Sequence, residues 1–196
     1  MSKDHPVCVR DRLLDAGVAV FSKSGFNGCS VQDITDAAGV PKGSFYNHFA
    51  SKEILGAAAI DHYWAQSAAK ELAILTDPSL TPLTRLRAYF DREMAEFVAQ
   101  DFTCGCLLGN MTAELSDHSK VISSKLSEVF SCWTGHVAAC IAEAQQAGEI
   151  RSEGEASVLA TFALNAWEGA LLRARIEKNP RPIQQFTEIL FSQLLH

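Results

Sequence analysis

Two short stretches of this 196-residue sequence gather side chains that could do chemistry. In the first, Lys42, Ser44, Tyr46, Asn47 and His48 place an ammonium, a hydroxyl, a phenol, an amide and an imidazole within seven positions, while Gly43 removes bulk at the leading end. Such groups donate hydrogen bonds to base edges and to phosphate oxygens. The second stretch is Cys104-Gly105-Cys106, two thiols flanking a glycine where a helix is expected to begin. The positive end of a helix favours the thiolate, the nucleophilic form. Cys106 follows a residue with no side chain to block access, so it is read either as a reactive sensor or as a small core residue. A Cys-x-Cys pair with no second ligand pair is a poor metal site, and neither a metal nor a cofactor is expected.

The first stretch needs two short helices to hold it. Ser30 caps the earlier one, with Asp33 three positions on completing a capping-box pattern. Val31, Ile34, Ala37 and Ala38 recur at helical spacing; Gly39 ends the helix and Pro41 allows another to start. Phe45 and Phe49, four apart, dock the second helix and leave the polar positions outward. This is a helix-turn-helix pattern. Upstream, a helix from about Val7 to Ser24 follows a short N-terminal arm, and Arg10 and Arg12 near its start either reach phosphates or are solvated.

The run GVPKGSFYNHFASKE resembles the DNA-reading segment of the TetR family of bacterial repressors, and GVAVFSKSGFNGCSVQDI before it extends the match over residues 10–56. The resemblance implies an all-α fold, with a three-helix DNA-binding domain over 1–52 and a helical ligand-binding and dimerisation domain over 53–196. It implies that Lys42, Gly43 and Tyr46 meet bases and adjacent backbone, and that Ser30, Asn47, His48 and Lys52 meet phosphates. For His48, phosphate donor and bystander both stay open. The implied partners are a double-stranded, palindromic DNA operator, a second copy of the chain and a small-molecule effector, with no membrane.

Charge and composition agree. The net charge of −6 is unevenly distributed: residues 1–52 hold six Lys and Arg against five Asp and Glu, residues 53–196 eleven against eighteen. The mildly basic N-terminal part must make few, focused DNA contacts. No window approaches the ~18 consecutive apolar residues of a membrane span, and MSKDHPVCVRDR has no signal-peptide core. A cytoplasmic protein with six reduced cysteines is expected.

Helical spacing continues through the acidic part, with helices expected from Ser51 to about Leu75, over 83–100, 106–116, 117–147 and 155–177, and from Pro182 to Leu195. GCLLGNMTAELSD and WEGALLRARIEKNP resemble a TetR branch containing repressors of acrylate- and electrophile-detoxifying genes. Candidate groups lining an effector chamber are His62, Trp64, Cys106, Asn110, Glu114, Trp133, Trp167 and Glu168; for each aromatic, core packing is the alternative. The resemblance also implies a four-helix dimer interface from the last two helices. Ala163, Ala166, Trp167, Ala170, Phe186 and Leu190 suit that face, and internal packing is the other reading. A ligand- or electrophile-responsive repressor is the leading function. A thiol enzyme using Cys106 is the competitor, although no phosphate loop, nucleophile elbow or paired catalytic carboxylates stand in the chain.

Overall fold

The computed structural model describes residues 8–196, and among these every regular element is helical. The α-helices are α1 (Val9–Ser24), α2 (Val31–Ala38), α3 (Lys42–Tyr46), α4 (Lys52–Leu75), α5 (Pro82–Ala99), α6 (Leu107–Leu115), α7 (Lys120–Gln146), α8 (Ala156–Glu177) and α9 (Arg181–Ile189). The all-α expectation is borne out. The expected N-terminal arm through Val7 lies outside the described residues. The last helix departs from expectation: after Ile189 it widens into a π-turn over Leu190–Leu194, with Leu195 N donating to Leu190 O at 2.8 Å. The wider turn leaves Leu190, Phe191 and Leu195 all buried, which uninterrupted α spacing would not have favoured.

The chain packs as two compact units, each assembled from two segments. The first combines the chain up to Ala65 with Leu107–Ser127; the second combines Gln66–Cys106 with Glu128–His196.

In the first unit, Leu13, Phe21, Ile34, Phe45, Phe49 and Leu55 form a closed core, each burial contributing about 1.5–3 kcal/mol. The helix-turn-helix is held at both ends of α2. Ser30 accepts from Asp33 N while the Asp33 carboxylate accepts from Ser30 N, a complete capping box. At the other end Gly39 takes the left-handed conformation (φ 63°), and Arg12 donates to Ala38 O and Gly39 O at 2.6 and 3.0 Å. Arg12, though exposed, is thus not merely solvated: its guanidinium satisfies carbonyls that the helix end leaves open.

In the second unit, an aromatic cluster joins α5, α8 and the C-terminal segment. Phe90 lies 4.9 Å from Tyr89, 5.3 Å from Trp167 and 5.2 Å from Phe186, measured between ring centroids. Edge and tilted contacts of this kind add to the burial energy of large rings.

Candidate functional site

The reading head comes first in the chain. Phe45 is fully buried and packs against both Tyr46 and Phe49. It pins α3 so that Lys42, Gly43, Tyr46, Asn47 and His48 are exposed together, Tyr46 at 57 %. A Cβ built at Gly43 would meet nothing within 4 Å. No packing inside the molecule therefore requires glycine there.

Two residues expected at phosphates are committed within the unit. The Lys52 ammonium donates to Phe26 O at 2.8 Å and Cys29 O at 2.7 Å, and stands 4.4 Å from the centre of the Phe26 ring. The Ser30 hydroxyl donates to Asp33 Oδ2 at 2.7 Å. Spacing showed the partner of Ser30 but could not show those of Lys52, which reaches back 26 and 23 positions.

The turn between α1 and α2 is gripped from α6. The Glu114 carboxylate accepts from Phe26 N at 3.1 Å and Asn27 N at 2.7 Å. Gly25, with φ 76°, makes room for it: a Cβ there would stand 2.5 Å from Glu114 Oε1. Glu114, expected in an effector chamber, thus gives each of its oxygens to a backbone amide of this turn. His62 is likewise tied down, its Nε2 2.7 Å from Asp15 Oδ1. Trp64 on α4 and Asn110 on α6 are half-buried and also belong to the first unit.

The other chamber candidates, Cys106, Trp133, Trp167 and Glu168, fall in the second unit. Trp133 is buried and its indole N–H donates to the Tyr89 hydroxyl at 2.8 Å. Cys106, half-buried, stands immediately before α6, and its thiol hydrogen-bonds to the Glu168 carboxylate. Burial pushes the Glu168 carboxyl up, and the hydrogen bond from Cys106 draws it partly back. Its Oε1 is sealed from solvent without a hydrogen-bond partner.

Sequence reading missed three further buried acidic or phenolic groups of this unit. Glu71, only 3 % exposed, has an unpartnered Oε2; burial, reinforced by the nearby Glu93, pushes its carboxyl up to about 8. Tyr89 is pushed well up by burial and lies in the fields of Glu71, Glu93 and Cys106. Burial also raises Glu93, with Arg92 opposing. A charged residue on the inward stripe of a helix was the available signal: Glu71 precedes Leu75, which is buried, by one helical turn.

The remaining thiols differ in kind. Cys140 is buried, donates to Pro82 O at 3.2 Å and is pushed up to about 11 by burial, which marks it as inert. Cys132 is exposed, with its sulfur 3.6 Å from His136 Nε2.

Helices α8 and α9 enclose an open groove of about 610 Å³ lined by Phe162, Ala166, Gly169, Ala170, Phe186 and Leu190 among others. Phe162 is 56 % exposed beside it. Two expected interface residues point elsewhere. Ala163 is buried, and Trp167, 2 % exposed, packs against Phe90 and Phe186 in its own unit. The broad apolar stripe of α8 covers two faces: one closes the core and the other lines the groove.

A capped helix, a left-handed glycine turn and a second helix that exposes donors while burying a phenylalanine define a helix-turn-helix DNA-binding protein. Residues 13–59 match the family model for bacterial regulatory proteins of the tetR family, and residues 82–190 match the tetracyclin repressor-like C-terminal domain. The sequence is 40 % identical to the HTH-type transcriptional repressor DhaR of Mycobacterium sp. strain GP1, across 95 % of this chain and 92 % of that protein. It is 34 % identical to the transcriptional regulator AcuR of Cereibacter sphaeroides, across 89 % of this chain and 80 % of that protein. Among solved structures, the reduced form of Escherichia coli NemR superposes with a TM-score of 0.88 at 25 % identity, covering 94 % of this chain and 95 % of that one. The chain belongs to the TetR family and is a DNA-binding transcriptional regulator.

Proposed function

We propose that this regulator is a repressor that binds a palindromic operator as a two-fold dimer and lets go when a small molecule or electrophile engages the second unit. Lys42, Gly43, Tyr46, Asn47 and His48 form the reading surface. The observation that carries the reading is the empty space around Gly43 beside four exposed donors: the missing side chain serves an approach from outside. Lys52 and Ser30 act behind this surface by holding the turn that carries it. Relatives named as repressors, DhaR and NemR among them, support the direction of control.

The α8–α9 groove takes the same groove of a second copy. Its small residues Ala166, Gly169 and Ala170 permit close approach, and exposed Phe162 supplies apolar area. A dimer sets two reading helices on half-sites about one turn of DNA apart. Release follows chain continuity: Cys106 is the last residue before α6, and α6 carries Glu114, which holds the turn leading into α2.

DNase footprinting with and without effector tests the reading. Protection of two half-sites, lost on adding an α,β-unsaturated carbonyl compound or another bound small molecule, is the expected result. A protein that is monomeric at micromolar concentration by sedimentation, or whose footprint is indifferent to Tyr46→Ala and Lys42→Ala together, overturns it. Each substitution should weaken operator binding by about 1–3 kcal/mol per half-site.

A further inference from the structure

In the second unit α4 buries an oxygen that nothing in the fold answers. Glu71 is 3 % exposed, and its Oε2 is sealed from solvent without a hydrogen-bond partner. A buried acceptor left open costs stability until a donor reaches it. The groups around it come from α5 and α7 of the same unit. Tyr89 and Glu93 stand one helical turn apart on α5, and each is in electrostatic reach of Glu71. The Tyr89 hydroxyl accepts the indole N–H of Trp133 at 2.8 Å, and the Phe90 ring packs 4.9 Å from that of Tyr89. The field of the Arg92 guanidinium also reaches Glu71, but Arg92 already donates to Glu93 at 2.5 Å and stands 3.7 Å from Glu96. Exposed Lys70 acts on Glu93. Glu71 is the acid left over.

We infer that Glu71, with Glu93 and the Tyr89 hydroxyl beside it, is the recognition site for a small organic ammonium ion carrying an apolar substituent. This rests on the reading that the second unit takes an effector, and it assigns that effector's charge. An ammonium brings hydrogen-bond donors and no acceptor, which matches a cluster of oxygens. Aromatic rings close by suit an apolar substituent and attract cations. A metal ion is a poor match, because among the described residues no group of three or more His, Cys, Asp or Glu could hold one. An anion would meet carboxyls where it needs donors.

Binding is coupled to proton release. Without a ligand, burial keeps the Glu71 carboxyl protonated, its pKa pushed up to about 8. An arriving ammonium favours the carboxylate, since opposite charges attract strongly where water is excluded. The proton passes to solvent and the carboxylate remains as counter-ion; no other bond changes. Affinity should therefore rise about tenfold from pH 7 to pH 9, as Glu71 becomes ionised before the ligand arrives.

Calorimetric titration of the full chain without DNA, using n-butylammonium chloride, 1-butanol and sodium butyrate at constant ionic strength, tests this. Only n-butylammonium should bind. At pH 7 it should release close to one proton per ion bound, read from two buffers of different ionisation enthalpy, and at pH 9 it should bind about tenfold tighter with little release. Glu71→Gln should lose about 10²-fold in affinity at pH 9 and all of the proton release at pH 7. Glu188→Gln, which removes an exposed acid on α9, should match the wild type. Failure of n-butylammonium to bind overturns the proposal, as does equal binding of 1-butanol. Affinity and proton release unchanged in Glu71→Gln also overturn it, and so does an equal loss in Glu188→Gln, which marks general attraction to an acidic surface. Footprinting separates the two readings. Glu71-dependent binding that leaves the operator footprint intact keeps this site and sinks effector release through it; release by another small molecule with no ammonium binding does the reverse.

Discussion

The two units differ in whether their buried charges leave hydrogen-bonding capacity unfilled. In the first, half-buried Glu114 and Lys52 bond the backbone of the turn between α1 and α2, and exposed Arg12 bonds the end of α2. In the second, Glu71, Arg92 and Glu168 each keep a buried polar atom without a partner. A reading head must hold one geometry, so its charges act as fasteners for helix ends that would otherwise be open. Buried hydrogen-bonding capacity left unfilled, as in the second unit, comes at a cost to stability. Removing charge should therefore weaken the first unit and strengthen the second.

The largest effect is expected at Glu71. Its carboxyl is pushed up to about 8 in the folded chain, against an ordinary 4.5. Between those values the folded chain holds a proton that the unfolded chain has released, so stability falls as pH rises from about 4.5 to about 8 and then levels. Glu71→Gln removes that slope. Denaturation at pH 8 should show the variant more stable than the wild type, by at most about 5 kcal/mol, with the gain fading as pH falls towards 4.5. A variant destabilised at pH 8 would break the contrast.

Glu114→Ala should act in the opposite direction. Two turn amides lose a charged acceptor, and about 1–3 kcal/mol of stability should go with it, read by urea denaturation. Operator affinity should fall too, since the turn leading into α2 loses its anchor. If Glu114→Ala is neutral in both assays, α6 does not hold the reading head.

Lys52→Met keeps most of the stem against Phe26 and removes the ammonium from two carbonyls. A loss of about 1 kcal/mol in stability is expected, with little change in the slope of operator affinity against salt if the ammonium stays on its two carbonyls in the complex. A slope reduced by about one unit would return Lys52 to the DNA surface.

The smallest change in stability is expected at Gly43. Gly43→Ala adds a methyl that meets nothing in the free protein, in a helix where alanine is the better former by roughly 1 kcal/mol. The melting temperature should hold or rise slightly while operator binding weakens. Unchanged operator binding would show that the space in front of Gly43 is not where the duplex comes.

The sequence by itself determined the helices, the π-turn after Ile189 apart, and which side chains of α3 face outward. Apolar spacing, Ser30 with Asp33, and Gly39 are local signals, and a helix end needs only neighbours a few positions away to be recognised. Phe45 beside exposed Tyr46, Asn47 and His48 was legible for the same reason, since one helical turn sorts inward from outward. What tertiary structure decided are the partners of charges that reach across the chain. Glu114 finds Phe26 and Asn27 over 88 and 87 positions, and Lys52 and Arg12 find carbonyls over 23 and 26 positions. It also decided which side of the apolar stripe on α8 closes the core around Trp167 and which lines the groove beside Phe162. An unfilled acceptor such as Glu71 Oε2 has no sequence signature, because being without a partner is a property of everything packed around it.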